Sequence, residues 1–315
     1  MSLMNAEFVC YIRIMNCIEI KNLNYSFKKD DQILKNINLS VPEKSIYGFL
    51  GPNGAGKTTT LKLILGLLKM QDGEVSVFGE DFSTNRIALL QQIGSLIEAP
   101  SIYSHLTAKE NLTIYQRIYQ CDKSRIDEIL ETVDLAYTGK KKAGKFSLGM
   151  KQRLSIAIAM LHSPKLLILD EPTNGLDPEG IVEIRVLLKK LADEQNVTII
   201  ISSHLLSEIE KLVTHVGIIH KGKLMFEGSL EELHLKQNEM LDYELSCSDN
   251  AKAKTLCLDM NIEAKERKNI LSLKGINQTT VASLVKALVN SDVSVFKVAP
   301  DQNDLESIFM NITKK

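Results

Sequence analysis

Residues 51 to 58 read Gly51-Pro52-Asn53-Gly54-Ala55-Gly56-Lys57-Thr58, a complete G-x-x-x-x-G-K-[ST] loop, and it constrains the fold more than any other stretch. Such a loop works only between a buried strand and a helix N-terminus. Both flank it, because Ile46 to Leu50 is an apolar run and Thr58 to Leu68 reads as a helix. The three glycines let main-chain N–H groups turn inward on an anion, with a helix N-terminus behind them. Lys57 then reaches the terminal phosphates, Thr58 holds Mg²⁺, and Thr59 follows in the same cradle. A glycine-rich turn with a chance Lys-Thr is the weaker alternative once strand and helix are in place.

The chain's 315 residues, 44% hydrophobic, provide for one large domain and a smaller one. A net charge of −1 gives no global field toward nucleic acid or anionic membrane. Cysteines 10, 17, 121, 247 and 257 show neither C-x-x-C nor paired metal spacing, so they read as packing residues in a reducing compartment. No apolar run reaches the roughly 18 to 20 residues needed to cross a bilayer. Residues 1–15 lack a secretory pattern and are expected to be an N-terminal extension, with Met15 as the natural start.

Alternating apolar positions from Ile18 to Leu39, broken at Lys28-Lys29-Asp30-Asp31, predict an antiparallel sheet ahead of the loop, and Gly73 to Gly79 repeats that strand-and-turn character after the helix. The period then becomes helical. Thr107 with Glu110 forms a capping box, Ile126, Ile129, Leu130 and Val133 mark a second helix, and Ser124 is its expected cap. Buried parallel strands are predicted at Leu166–Leu169 and Val197–Ile201, with an amphipathic helix from Ile181 to Leu191 between them. A hairpin from Val216 to Glu227 turns at Lys221-Gly222. Beyond it come a strand through Leu241 to Cys247, a hairpin at Ile270–Lys274, a helix through Val281 to Leu288, a strand at Val293–Val298 and a helix through Leu305 to Ile312. These form a separate small α+β unit.

A second group of motifs carries chemistry. The strand Leu166–Leu169 ends in Asp170-Glu171, where one carboxylate can hold Mg²⁺ and the next can take a proton from an attacking water. Read alone, two acids at a strand end are ordinary solvated residues; the upstream loop reverses that. Ser147-Leu148-Gly149 opens a helix expected to run to Pro164, offering a hydroxyl and N–H groups to an anion, although an isolated Ser-x-Gly is a simple helix cap.

The loop, Ser147-Leu-Gly149, Asp170-Glu171, the turn Asn174-Gly175-Leu176-Asp177 and His204 after a strand occur in the order found in ATP-binding-cassette ATPases, which residues 17 to 228 resemble. The resemblance implies an α/β fold: a P-loop ATPase core with an antiparallel β subdomain and a helical subdomain at about 96–162, within an ATPase domain of residues 16–228. The α+β unit at 229–315 is an accessory domain. It further implies ATP and Mg²⁺ as cofactors, Phe27 as the adenine-stacking ring with Tyr25 as its competitor, and Glu171 as the general base. His204 is the implied γ-phosphate contact, and Asp177 the turn residue that communicates across a dimer. Two copies of such a chain sandwich two ATP molecules, each loop facing the other's Ser147 and Gly149. A homodimer, or a pair with a related ATPase, is therefore expected.

Most relatives carry Gln where Ile93-Gly-Ser-Leu-Ile-Glu98-Ala-Pro100 has Glu98. A carboxylate still suits a hard cation, so Glu98 joins Thr58 and Asp170 as an expected metal contact, though its charge repels phosphate. Glu98 with Ala-Pro, the Ser-Leu-Gly-Met motif and the C-terminal unit resemble the bacitracin-resistance and lantibiotic-immunity ATPases. Those drive separately encoded permeases that export peptide antibiotics, and the resemblance implies a chain in the cytoplasm, peripheral to the membrane. Two alternatives stand beside this. A ribosome- or DNA-acting cassette is disfavoured by the single cassette, the lack of a long coiled coil and the neutral charge. A non-hydrolysing regulatory module is disfavoured by Asp170, Glu171 and His204 together.

Overall fold

The computed structural model describes residues 15–28, 31–98, 102–204, 209–238, 241–267 and 269–300. The chain divides into two units, Met1–Glu227 and Gly228–Lys315. The expected extension before Met15, Lys29 and Asp30 of the charged turn, Ala99 and Pro100, and the helix through 305–312 lie outside the described residues.

In the first unit, β1 (Asn16–Lys28), β2 (Asp31–Pro42), β4 (Asp72–Val77) and β5 (Glu80–Asp81) form an antiparallel sheet in the order β2-β1-β4-β5. A second sheet runs β10-β9-β3-β8-β7-β6. Its members are β3 (Ile46–Leu50), β6 (Ile93–Leu96), β7 (Leu166–Asp170), β8 (Thr198–Ser203), β9 (His215–His220) and β10 (Lys223–Ser229). Strands β9, β3, β8, β7 and β6 are mutually parallel. Every residue of β3 and β8 is buried, which explains their continuous apolar runs: a strand covered on both faces has no polar side to show.

One apolar cluster joins Ile18 and Ile37 of the antiparallel sheet to Leu61 and Ile64 of α1 (Lys57–Ile64) and to Phe49 and Ile168 of the parallel sheet. Each fully buried Leu or Ile there contributes about 1.5–3 kcal/mol. Helix α1 is shorter than the expected 58–68, because Gly66 adopts φ 62° and the backbone turns after Leu65. The turn Lys221-Gly222 props this region from the side: Gly222 N–H donates to the Ala55 carbonyl at 3.0 Å, and its carbonyl accepts from Lys35 N–H at 2.8 Å. Gly222 has φ 76°, and a Cβ there would lie 2.0 Å from the Ile33 carbonyl oxygen. Gly222→Ala is expected to lower unfolding free energy by about 2–3 kcal/mol. Urea denaturation reads this directly, and an unchanged midpoint refutes it.

After α2 (Phe82–Leu90), which follows β5, the helical segment comprises α3 (Ala108–Tyr119), α4 (Ser124–Thr132) and α5 (Leu148–Met160). The capping box is present: Glu110 N–H donates to Thr107 Oγ1 at 3.1 Å, and Thr107 N–H to Glu110 Oε2 at 2.7 Å. Those bonds and the Lys142 ammonium pull the Glu110 carboxyl down to about 2. Ser124 is not the cap of α4; Lys123 occupies that position with no side-chain capping bond, and Ser124 begins the helix itself. Helix α5 stops at Met160 rather than at Pro164, and α6 (Pro178–Gln195) is longer than its apolar core implied.

The second unit has β11 (Leu241–Cys247), α8 (Asn250–Asp259), β12 (Ala264–Arg267), β13 (Ile270–Ile276), α9 (Gln278–Asn290) and β14 (Val295–Pro300), after a short α7 (Leu230–Asn238). Its sheet order, β12-β13-β11-β14, with antiparallel neighbours, is the split β-α-β arrangement. Leu245, Cys257, Leu273 and Leu284 lie in its core. Of the four described cysteines, Cys17 and Cys257 are buried packing residues, while Cys121 and Cys247 are partly exposed. Burial pushes the Cys17 thiol up to about 12.

Candidate functional site

The parallel strands end on one edge, and the order reverses at β3, which has β8 on one side and β9 on the other. Ligand sites of open α/β sheets form at such carboxyl ends. Here β3 delivers residues 51–58, β7 delivers Asp170 and Glu171, and β8 delivers Ser202, Ser203 and His204. Register aligns them, since Asp170 pairs with Ser202 and Leu50 with Ser203.

Gly51 is fixed by crowding: a Cβ would lie 2.3 Å from the Ile219 carbonyl oxygen. Lys57 is buried, and its Nζ donates to the Gly51 carbonyl at 2.7 Å while standing 3.2 Å from Glu171 Oε1. Thr58 Oγ1 donates to Asp170 Oδ2 at 2.8 Å. Ser202 Oγ donates to the other Asp170 oxygen and accepts from Glu171 N–H at 2.9 Å. His204 Nδ1 lies 2.7 Å from Glu171 Oε2. Glu171 itself has φ 50°, a left-handed conformation that costs a side-chain-bearing residue about 1–3 kcal/mol and persists where the surroundings over-determine it. Two distant segments thus meet at the carboxylate of a third.

Ser202 belongs to this network and escaped sequence reasoning. It sits inside an apolar strand, where the only visible signal was a hydroxyl pair closing an Ile run.

Phe27 is 57% exposed, and Tyr25 is buried with its ring packed edge-on to Phe27 at 5.1 Å. Phe27 is the exposed ring of the two. Glu98 has a partner of its own. Its carboxylate pairs with Lys62 Nζ at 2.6 Å, not with Thr58 or Asp170, and the hydrogen bond and charge of Lys62 hold it below the usual carboxylate range. Lys62 lies one helical turn beyond Thr58 on α1.

Ser147, Gly149 and Asp177 form a second concavity together with Tyr137, Gly175 and Arg153, and its lining includes none of residues 51–59. Ser147 Oγ caps α5 by accepting from Met150 N–H at 3.2 Å. Asp177 Oδ1 caps α6 through Gly180 N–H at 3.0 Å.

Residues 34–174 match the family model described as ABC transporter. The chain is 47% identical over 280 residues to the bacitracin transport ATP-binding protein BcrA of Bacillus licheniformis, covering 88% of this chain and 90% of that one. It is 43% identical over 226 residues to the lantibiotic transport ATP-binding protein SrtF of Streptococcus pyogenes, covering 70% and 96%. Among solved structures, the cbiO1 subunit of a Clostridium perfringens ABC transporter complex superposes with TM-score 0.65 at 24% identity, covering 78% of this chain and 96% of that one, a likeness of fold. No helix among the described residues is long and apolar enough to cross a membrane. With relatives of this identity along most of its length, and a phosphate loop facing a strand-end carboxylate pair, the chain belongs to the ATP-binding subunits of ABC transporters, the ATPases that couple nucleotide hydrolysis to transport.

Proposed function

We propose that two copies of this chain close around two Mg·ATP and drive a separately encoded permease, on its cytoplasmic side, in the export of peptide antibiotics. The observation that carries the hydrolytic part is the convergence of Lys57, Thr58, Asp170, Glu171 and His204 from three segments. The cargo follows from the likeness to bacitracin and lantibiotic transport subunits.

The β- and γ-phosphates take the Lys57 ammonium from Glu171, which frees one carboxylate oxygen for water. Glu171 then accepts the proton of the water that attacks the γ-phosphorus. His204, with Nδ1 2.7 Å from Glu171 Oε2, steadies that carboxylate and brings its ring to the γ-phosphate. Mg²⁺ fits Thr58 Oγ1 and Asp170 Oδ2, two hard oxygen donors, and when bound it neutralises phosphate charge. The partner's Ser147 and Gly149 complete the cradle, and Phe27 stacks on adenine. Glu98, paired with Lys62 at 2.6 Å, would be a further oxygen donor to Mg²⁺ on leaving that partner.

A cell whose only copy carries Glu171→Gln should become more sensitive to bacitracin or to a lantibiotic, read as the minimum inhibitory concentration. Unchanged sensitivity to both removes the cargo assignment.

A further inference from the structure

Arg153 is buried, with its side chain 8% exposed, yet from α5 it reaches two other segments at once. Its Nη1 donates to Asp134 Oδ2 at 2.9 Å and to the Asp134 carbonyl at 3.2 Å, just beyond the end of α4. Its Nη2 stands 3.7 Å from Glu183 Oε2 on α6, close enough for an ion pair. Its Nε finds no hydrogen-bond partner among the described residues, so the guanidinium depends on those two neighbours. The cation is enclosed while its carboxylates are not, Asp134 being 76% and Glu183 43% exposed, so it is the loss of either one that leaves an enclosed charge short of a partner.

The surroundings show what this tie would hold. Arg153 lies one turn beyond Gly149 on the same face of α5. A Cβ on Gly149 would lie 3.9 Å from Glu183 Oε2 and 4.0 Å from the Gly180 Cα, so the start of α5 lies against the start of α6. A Cβ on Gly175 would lie 3.3 Å from Leu148 Cδ2, which brings the Asn174–Asp177 turn against the same helix start. Ser147, Gly149, Arg153, Asp177 and Glu183 line one concavity.

We infer that Arg153 is a positioning residue that locks the Ser147–Gly149 helix start to the Asp177 turn, so that one chain presents both to the partner copy's phosphate loop as a single face. This rests on the homodimer reading above. Arg153 acts through Asp134 and Glu183, by holding the bodies of the two helices whose starts carry Ser147 and Asp177.

The test uses the full chain in the Glu171→Gln background, adding Arg153→Met or Glu183→Gln. Each variant is read three ways: ATP affinity of the dilute monomer, ATP-driven dimerisation by sedimentation, and hydrogen exchange of residues 147–153 and 177–184 without nucleotide. Arg153→Met should weaken dimerisation about tenfold, the scale of coupling between contacting charges, with ATP affinity within about twofold of the parent. Exchange in both segments should rise about tenfold as the caps open locally. Glu183→Gln should do the same about threefold, and it carries the test if Arg153→Met does not fold. Unchanged exchange in Glu183→Gln overturns the inference whatever the dimer assay gives. Loss of ATP affinity in step with dimerisation also overturns it, because that is the mark of general destabilisation. A Glu171→Gln parent that stays monomeric with ATP overturns the homodimer reading instead, and the exchange data still decide whether the tie exists.

Discussion

Glu171→Gln should lower the rate of ATP hydrolysis by about 10²–10⁴-fold, the range a positioned general base supplies, while ATP remains bound. The carboxylate is held on both oxygens, by Lys57 at 3.2 Å and by His204 at 2.7 Å, and its backbone is anchored by Ser202. Gln keeps the length and branching of the side chain, so the loop and the Asp170–Thr58 bond stay in place. It cannot take up a proton at neutral pH. Binding and chemistry therefore separate, and the nucleotide-bound dimer should accumulate. Steady-state phosphate release and sedimentation with ATP read the two halves. Hydrolysis within threefold of the parent would remove Glu171 from the role of base.

Lys57→Ala should weaken ATP binding by about 30-fold or more, the equivalent of at least about 2 kcal/mol for truncating one partner of a buried charged pair. The ammonium is almost fully enclosed and already oriented by the Gly51 carbonyl, so phosphate meets a donor whose ordering cost is largely met in the fold. Truncation has a second effect, because it takes from Glu171 the cation 3.2 Å away. Titration with a fluorescent ATP analogue gives the answer, and an affinity within threefold of the parent contradicts it. The two variants differ in kind: loss of Lys57 empties the site, whereas loss of Glu171 fills it and stalls it.

The legible parts of the fold were those whose burial is simple. Strands β3, β7 and β8 are enclosed on both faces, and their apolar runs gave them away. The Thr107–Glu110 box was visible because both of its bonds are local. Less regular elements hid. Strand β6 has four residues and no period of its own, and only its pairing with β7 makes it a strand. Helix α8 buries just Ala253 and Cys257, too thin a stripe to register as amphipathic. Helix α2 buries only Phe82 and Leu89 and contains a kink at Asn85. Ser124 has the residue type of a cap, but the helix starts at Ser124 itself.

At the site, the sequence by itself determined the kinds of group present: a phosphate loop, a carboxylate pair at a strand end, a histidine after another strand and a Ser-x-Gly helix start. Motif spacing encodes these because each is a local unit of backbone and side chain. Tertiary structure decided which groups meet. Parallel pairing of β3, β7 and β8 puts Lys57, Glu171 and His204 within hydrogen-bonding distance across more than a hundred residues of chain. It also turned Glu98 toward Lys62, enlisted Ser202, and gathered Ser147, Gly149 and Asp177 into a concavity apart from the loop. Those outcomes depend on strand register and on which charge lies nearest in space, and neither quantity is written in the spacing of residues along the chain.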